Sequence, residues 1–94
     1  MIPFNIASYA LLLSLLAKIT GYTPGILTGF LADVHIYENH LEQAREQLSR
    51  TPAELPSLEL FGIDSETKLW YIEPDQIKLR NYTPQAQIKA PMAV

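Results

Sequence analysis

The apolar positions change period along the chain. Through the first twenty residues they recur at helical spacing. Ile6, Ala10, Leu13 and Ala17 make one stripe, and Leu12, Leu15, Leu16 and Ile19 make another. A helix apolar on most of its circumference is ordinarily central to a core, so the pattern predicts a long buried helix over 1–20. Pro3 suits its first turn, where a missing N–H costs nothing. Gly21 is placed to end it as the C′ residue, and Pro24 blocks continuation.

From residue 25 the period drops to two, which predicts a strand over 25–37. Ile26, Thr28, Phe30, Ala32, Val34 and Ile36 share one face; Asp33, His35 and Tyr37 stand side by side on the other. A polar row backed by an apolar one suits a strand with one face on a core and one lining a pocket. Gly29 marks a bulge or a close approach of another backbone.

Residues 39–49 predict a second, half-exposed helix. Asn39 and Glu42 have the spacing of a capping box, and Leu41, Ala44 and Leu48 form a thin apolar stripe. Residues 57–61 read as a strand ended by Gly62, and 76–80 as a strand with one wet face. Residues 64–71 are open between a short helix and a loop. Residues 82–94, with Pro84 and Pro91, predict an irregular tail. The expected fold class is α+β: a long buried helix, a second amphipathic helix and a few strands of a larger mixed sheet, in a single segment over 1–94.

Composition narrows the function. With 48% hydrophobic and 18% charged residues, the chain is globular. A net charge of −3 argues against a nucleic-acid binder. There is no cysteine, which removes disulfides, thiolate metal ligands and thiol nucleophiles together. The leucine run 10–17 is too short to span a bilayer and Lys18 ends it; no basic residue precedes it, as a signal peptide would require. The expectations are no membrane association and a cytoplasmic location.

Chemistry-bearing residues are few. The glycines lie too far apart to cradle a phosphate. His35 and His40 alone make a poor metal site, which needs a third ligand, so no metal is expected. His35 and Tyr37 can each donate to and accept from a hydroxyl. A structural hydrogen-bond pair and a ligand site both remain open readings of them. His40, at a helix start, reads as structural. Asn5 reads as a cap, or as an amide that meets a planar amide-like edge with both its groups.

Three motifs carry a resemblance. Pro3-Phe4-Asn5-Ile6-Ala7-Ser8-Tyr9-Ala10, then Asp33-Val34-His35-Ile36-Tyr37-Glu38-Asn39-His40, then Ile88-Lys89-Ala90-Pro91-Met92-Ala93-Val94 occur in the order found in thymidylate synthases. Asn5 and His35 are spaced as in that family. The chain resembles about the last third of the enzyme. The resemblance implies that Asn5 reads the pyrimidine edge of deoxyuridylate (dUMP), and that His35 and Tyr37 bind the sugar 3′-hydroxyl. It implies that Phe4, Lys89 and Val94 wall or close over the folate, 5,10-methylenetetrahydrofolate. Uracil offers an N–H beside a C=O, which one amide can match; a carboxylate there would favour the cytosine amino group of deoxycytidylate.

The chain departs from the family where Leu31 and Ala32 stand for a glycine-rich pair, and where Gln85 and Ala86 stand for a His-Pro. The larger departure is the family's nucleophilic cysteine, for which this chain has no substitute. Met1 lies where the family has a small residue, so the chain resembles a truncated or internally started form.

The expected function is therefore the C-terminal segment of a thymidylate synthase, inactive alone, paired as a homodimer or with a missing N-terminal part. The alternatives are a non-catalytic remnant or interaction module, and a segment of a pyrimidine nucleotide hydroxymethylase.

Overall fold

The computed structural model describes residues 2–92. It opens with helix α1, Ile2–Thr20. Gly21 follows with φ 77°, a left-handed conformation that glycine adopts without a Cβ penalty. The Tyr22 N–H then donates to the Ala17 carbonyl at 2.9 Å. That is the six-to-one bond of a Schellman ending, so Gly21 closes the helix as its position predicts. Ser14 Oγ donates to the Ala10 carbonyl at 3.0 Å, which satisfies a hydroxyl inside an apolar run.

The burial of α1 departs from expectation. Only Leu15 and Ala17 are buried in it, while Phe4, Ile6, Tyr9 and Leu16 remain exposed. The described residues offer few elements to cover it; its main neighbour is a 3₁₀ turn at Leu69–Tyr71. As a whole helix of 19 residues, α1 is also long and apolar enough to cross a membrane. The leucine run alone did not meet that length, and core helices pass the same test.

Residues 25–37 form no strand. The backbone is irregular there, with a bend at Ala32 and Asp33, and Ile26 and Phe30 are each 94% exposed. Period-two alternation favours extended backbone, but a strand also needs a paired edge. Here the edges of β1, Ser57–Leu60, and β2, Ile77–Arg80, pair antiparallel with each other instead. The sheet among the described residues is thus two-stranded and antiparallel rather than mixed. The α+β class stands.

A 3₁₀ turn at Glu38–His40 leads directly into helix α2, Leu41–Leu48. The Asn39–Glu42 capping box does not form. The turn draws Asn39 into helical structure, so that His40 becomes the N-cap without a side-chain bond. The expected stripe is also not the covered face. Leu48 is 86% exposed, whereas His40, Gln43, Ala44 and Arg50 are half-buried. Gln43 and Ala44 lie three and four residues beyond His40, and Arg50 seven beyond Gln43, so they fall on one side of α2 and its continuation.

The β1–β2 connection contains Gly62 at φ 63° and the buried Ile63. It resolves 64–71 as a turn followed by the 3₁₀ segment. Asp64 Oδ1 accepts from the Glu66 N–H at 2.9 Å. The connection closes where the Phe61 N–H donates to the Gln76 carbonyl at 2.8 Å and Gln76 Nε2 returns to the Phe61 carbonyl at 3.0 Å. A capping box occurs here instead, with the Glu73 N–H donating to Gln76 Oε1 at 2.8 Å. Among the described residues, Leu15, Ala17 and Ile63 are the buried apolar ones. The radius of gyration of 16.8 Å exceeds the roughly 12 Å of a closed domain of this length.

Candidate functional site

The row Asp33–His40 retains its local order without a strand. His35 Nδ1 donates to the Asp33 carbonyl at 3.1 Å. A carbonyl only accepts, so Nδ1 carries the hydrogen and the neutral ring presents Nε2 as an acceptor. The bend at Ala32 and Asp33 brings that carbonyl round. Asp33 thus acquires a place through its backbone; its carboxylate is exposed and 4.0 Å from the ring.

His35 meets Tyr37 edge-on, with ring centroids 5.3 Å apart. The predicted proximity of these two side chains therefore survives although the strand does not. Tyr37 in turn meets His40 edge-on at 5.5 Å. The three rings form a short ladder in the edge-to-face geometry that aromatic quadrupoles favour.

The tail runs antiparallel along α2. The Nε2 of His40 is bonded to the Pro91 carbonyl. Gln43 Nε2 donates to the Lys89 carbonyl at 3.3 Å and Arg50 to the Ala86 carbonyl at 2.8 Å. Gln85 Nε2 answers from the tail to the Thr51 carbonyl at 3.0 Å. Helix positions rise as tail positions fall. Each helix donor meets a tail carbonyl, so the tail is held by its main chain.

An open groove of about 1520 Å³ lies between tail, α2 and the start of α1, lined by Phe4, Tyr37, His40, Gln43, Lys89 and Met92. Asn5 lines a different hollow, of about 580 Å³, with Ile2, Ile6, Tyr9, Leu27 and Phe30. The structure therefore brings Phe4, Tyr37 and Lys89 around one groove and His35 beside Tyr37. It places Asn5 in the neighbouring hollow, one residue along α1 from Phe4. Val94 lies outside the described residues.

The sequence reading missed Gln43, Arg50 and Gln85 as tail anchors and gave His40 only a helix-start role. Their signal was weak: polar side chains on an amphipathic helix ordinarily face solvent. Among the described residues no group of three or more His, Asp or Glu is arranged to hold a metal ion. The family model described as thymidylate synthase matches residues 1–94.

Proposed function

The chain belongs to the thymidylate synthase family, and from that premise we propose that it forms the nucleotide-recognition and folate-facing part of an enzyme methylating dUMP. The carrying observation is the His35–Tyr37 pair with its tautomer set by Asp33. His35 Nε2 accepts from the sugar 3′-hydroxyl, and the Tyr37 hydroxyl donates to the same oxygen. Two directional bonds to one hydroxyl orient the sugar as well as hold it.

Asn5 meets the uracil edge, its amide accepting from the ring N–H and donating to the adjacent carbonyl. Its hollow is mainly apolar, which suits the faces of a planar base. The larger groove fits a folate. Phe4 is 69% exposed and offers a ring face to a flat heterocycle, while Lys89 supplies a cation for the cofactor's carboxylates. Bound there, 5,10-methylenetetrahydrofolate would supply the one-carbon unit and the reducing hydride. The chain's own residues bind, orient and enclose.

The family's reaction begins when a thiolate adds to the pyrimidine. This chain has no cysteine, so the nucleophile must come from another polypeptide segment. That assigns recognition to this chain and bond-making to a cysteine-bearing segment that joins it; a second copy of the chain, equally without cysteine, cannot supply the thiol. A cytoplasmic setting accords with the small-molecule substrates.

A second reading, a stand-alone non-catalytic module, is favoured by the same missing thiol. Calorimetry with dUMP separates either reading from a chain with no nucleotide site. The proposal requires measurable binding that falls on replacing His35→Ala together with Tyr37→Phe. Identical binding before and after would overturn it.

A further inference from the structure

His40 touches both the recognition row and the tail. Its backbone N–H donates to the Tyr37 carbonyl at 2.9 Å, closing the 3₁₀ turn. Its ring stands edge-on to Tyr37 at an interplanar angle of 88°. Its Nε2 meets the carbonyl of Pro91, fifty-one residues away in sequence. A carbonyl accepts only, so Nε2 carries the hydrogen. The imidazole is half-buried, between the ring of Tyr37 on one side and the tail on the other. A residue needed only to start α2 would require neither contact, and His40 makes no side-chain cap to that helix.

We infer that His40 is a positioning residue through which the nucleotide site and the tail sense each other. The inference rests on the reading of His35 and Tyr37 as the sugar-hydroxyl site. A hydroxyl bound by Tyr37 restricts the tyrosine ring, whose edge packs on the imidazole. Restriction of the imidazole keeps its Nε2–H aimed at the Pro91 carbonyl, which favours the docked tail. The coupling is reciprocal, so a docked tail also favours the nucleotide-ready orientation of Tyr37. The contact is to a main-chain carbonyl, so it is indifferent to the tail's side chains. Gln43 holds the Lys89 carbonyl two residues earlier and sets the register.

Trypsin provides the test, because its site at Lys89–Ala90 uses the Lys89 carbonyl that Gln43 binds. Cleavage requires that carbonyl to leave α2 and enter the protease's oxyanion hole. The readout is the initial rate of release of residues 90–94 from the full chain, followed by mass spectrometry with and without dUMP. In the native chain dUMP slows release. In His40→Ala release is faster without nucleotide, by about two- to tenfold for the loss of one hydrogen bond, and dUMP that still binds no longer slows it.

Two further variants separate donor from ring and stand in should His40→Ala misfold. His40→Gln keeps an Nε2 donor and restores ligand-free protection. His40→Phe keeps the ring edge without the donor and is cleaved like the alanine variant. Native-like release in both His40→Ala and His40→Phe, or continued protection by dUMP in both, overturns the inference. If calorimetry detects no dUMP binding to the native chain, the nucleotide-site reading fails and the coupling with it. If dUMP binds and the His40 variants leave release unchanged, only the coupling fails.

Discussion

The Asp33 carbonyl and His35 Nδ1 are 3.1 Å apart, and this backbone contact decides which nitrogen of His35 is free to accept a hydroxyl. The Asp33 side chain does not share the task, being fully exposed. Replacing Asp33 by Ala therefore changes dUMP affinity by less than about 0.5 kcal/mol, the range of exposed substitutions. Replacing His35 by Ala and Tyr37 by Phe together costs about 1–3 kcal/mol through two lost hydrogen bonds. Isothermal titration of the three chains checks both statements. A large loss in the Asp33 variant would move the orienting role to its carboxylate.

Asn5 tests base choice independently of the sugar site. Asp at position 5 accepts but cannot donate when ionised, so it loses the uracil carbonyl and gains the cytosine amino group. Asn5→Asp is expected to shift the preference from dUMP towards deoxycytidylate by about 1–3 kcal/mol, roughly five- to 150-fold. Competition binding with the two nucleotides measures the ratio. An unchanged ratio would remove Asn5 from the base-reading role.

Recognition without a thiol predicts binding without turnover. Purified chain incubated with dUMP tritiated at C5 and with methylenetetrahydrofolate should release no tritium above background, because release follows covalent activation of the ring. Steady release would show a nucleophile other than cysteine within these residues.

Gly21 carries a prediction about the fold. Its φ of 77° would cost an alanine about 1–2 kcal/mol, since a Cβ there crowds the following carbonyl. Open space surrounds the position, so the cost is conformational rather than a clash. Gly21→Ala should lower the thermal midpoint of the helical circular-dichroism signal. An unchanged midpoint would mean that α1 frays before its C-terminus contributes.

What was legible in the sequence was mostly local. The extent of α1 follows from spacing and its ending from Gly21, and β1 and β2 follow from short alternating runs. The 25–37 alternation foretold the His35–Tyr37 proximity, a near-neighbour property. It failed as a strand because pairing depends on where a second edge lies. The tail anchors were illegible for the same reason. The bonds from His40, Gln43 and Arg50 span 51, 46 and 36 residues, and no local period encodes them. Arg50 binds the Ala86 carbonyl and Gln85 binds back to the Thr51 carbonyl, at the two positions where the sequence departs from the His-Pro of the resemblance. The local change and the main-chain anchoring coincide there.

The exposed side of α1 leads to the last prediction. Ile2, Phe4, Ile6, Tyr9, Leu12 and Leu16 are all at least 38% exposed, although burying one large apolar side chain contributes about 1.5–3 kcal/mol. With three buried apolar residues among those described and a radius of gyration well above that of a closed domain, the isolated chain has little to offset its conformational entropy. Apolar surface from other polypeptide, a second copy or further enzyme sequence, is expected to add to its stability. Sedimentation velocity on purified chain should show self-association or an expanded monomer, with a concentration-dependent thermal midpoint in the first case. A compact, dilute monomer with a sharp, concentration-independent transition would mean that the 94 residues close a core by themselves, and α1 would then have to be buried in solution.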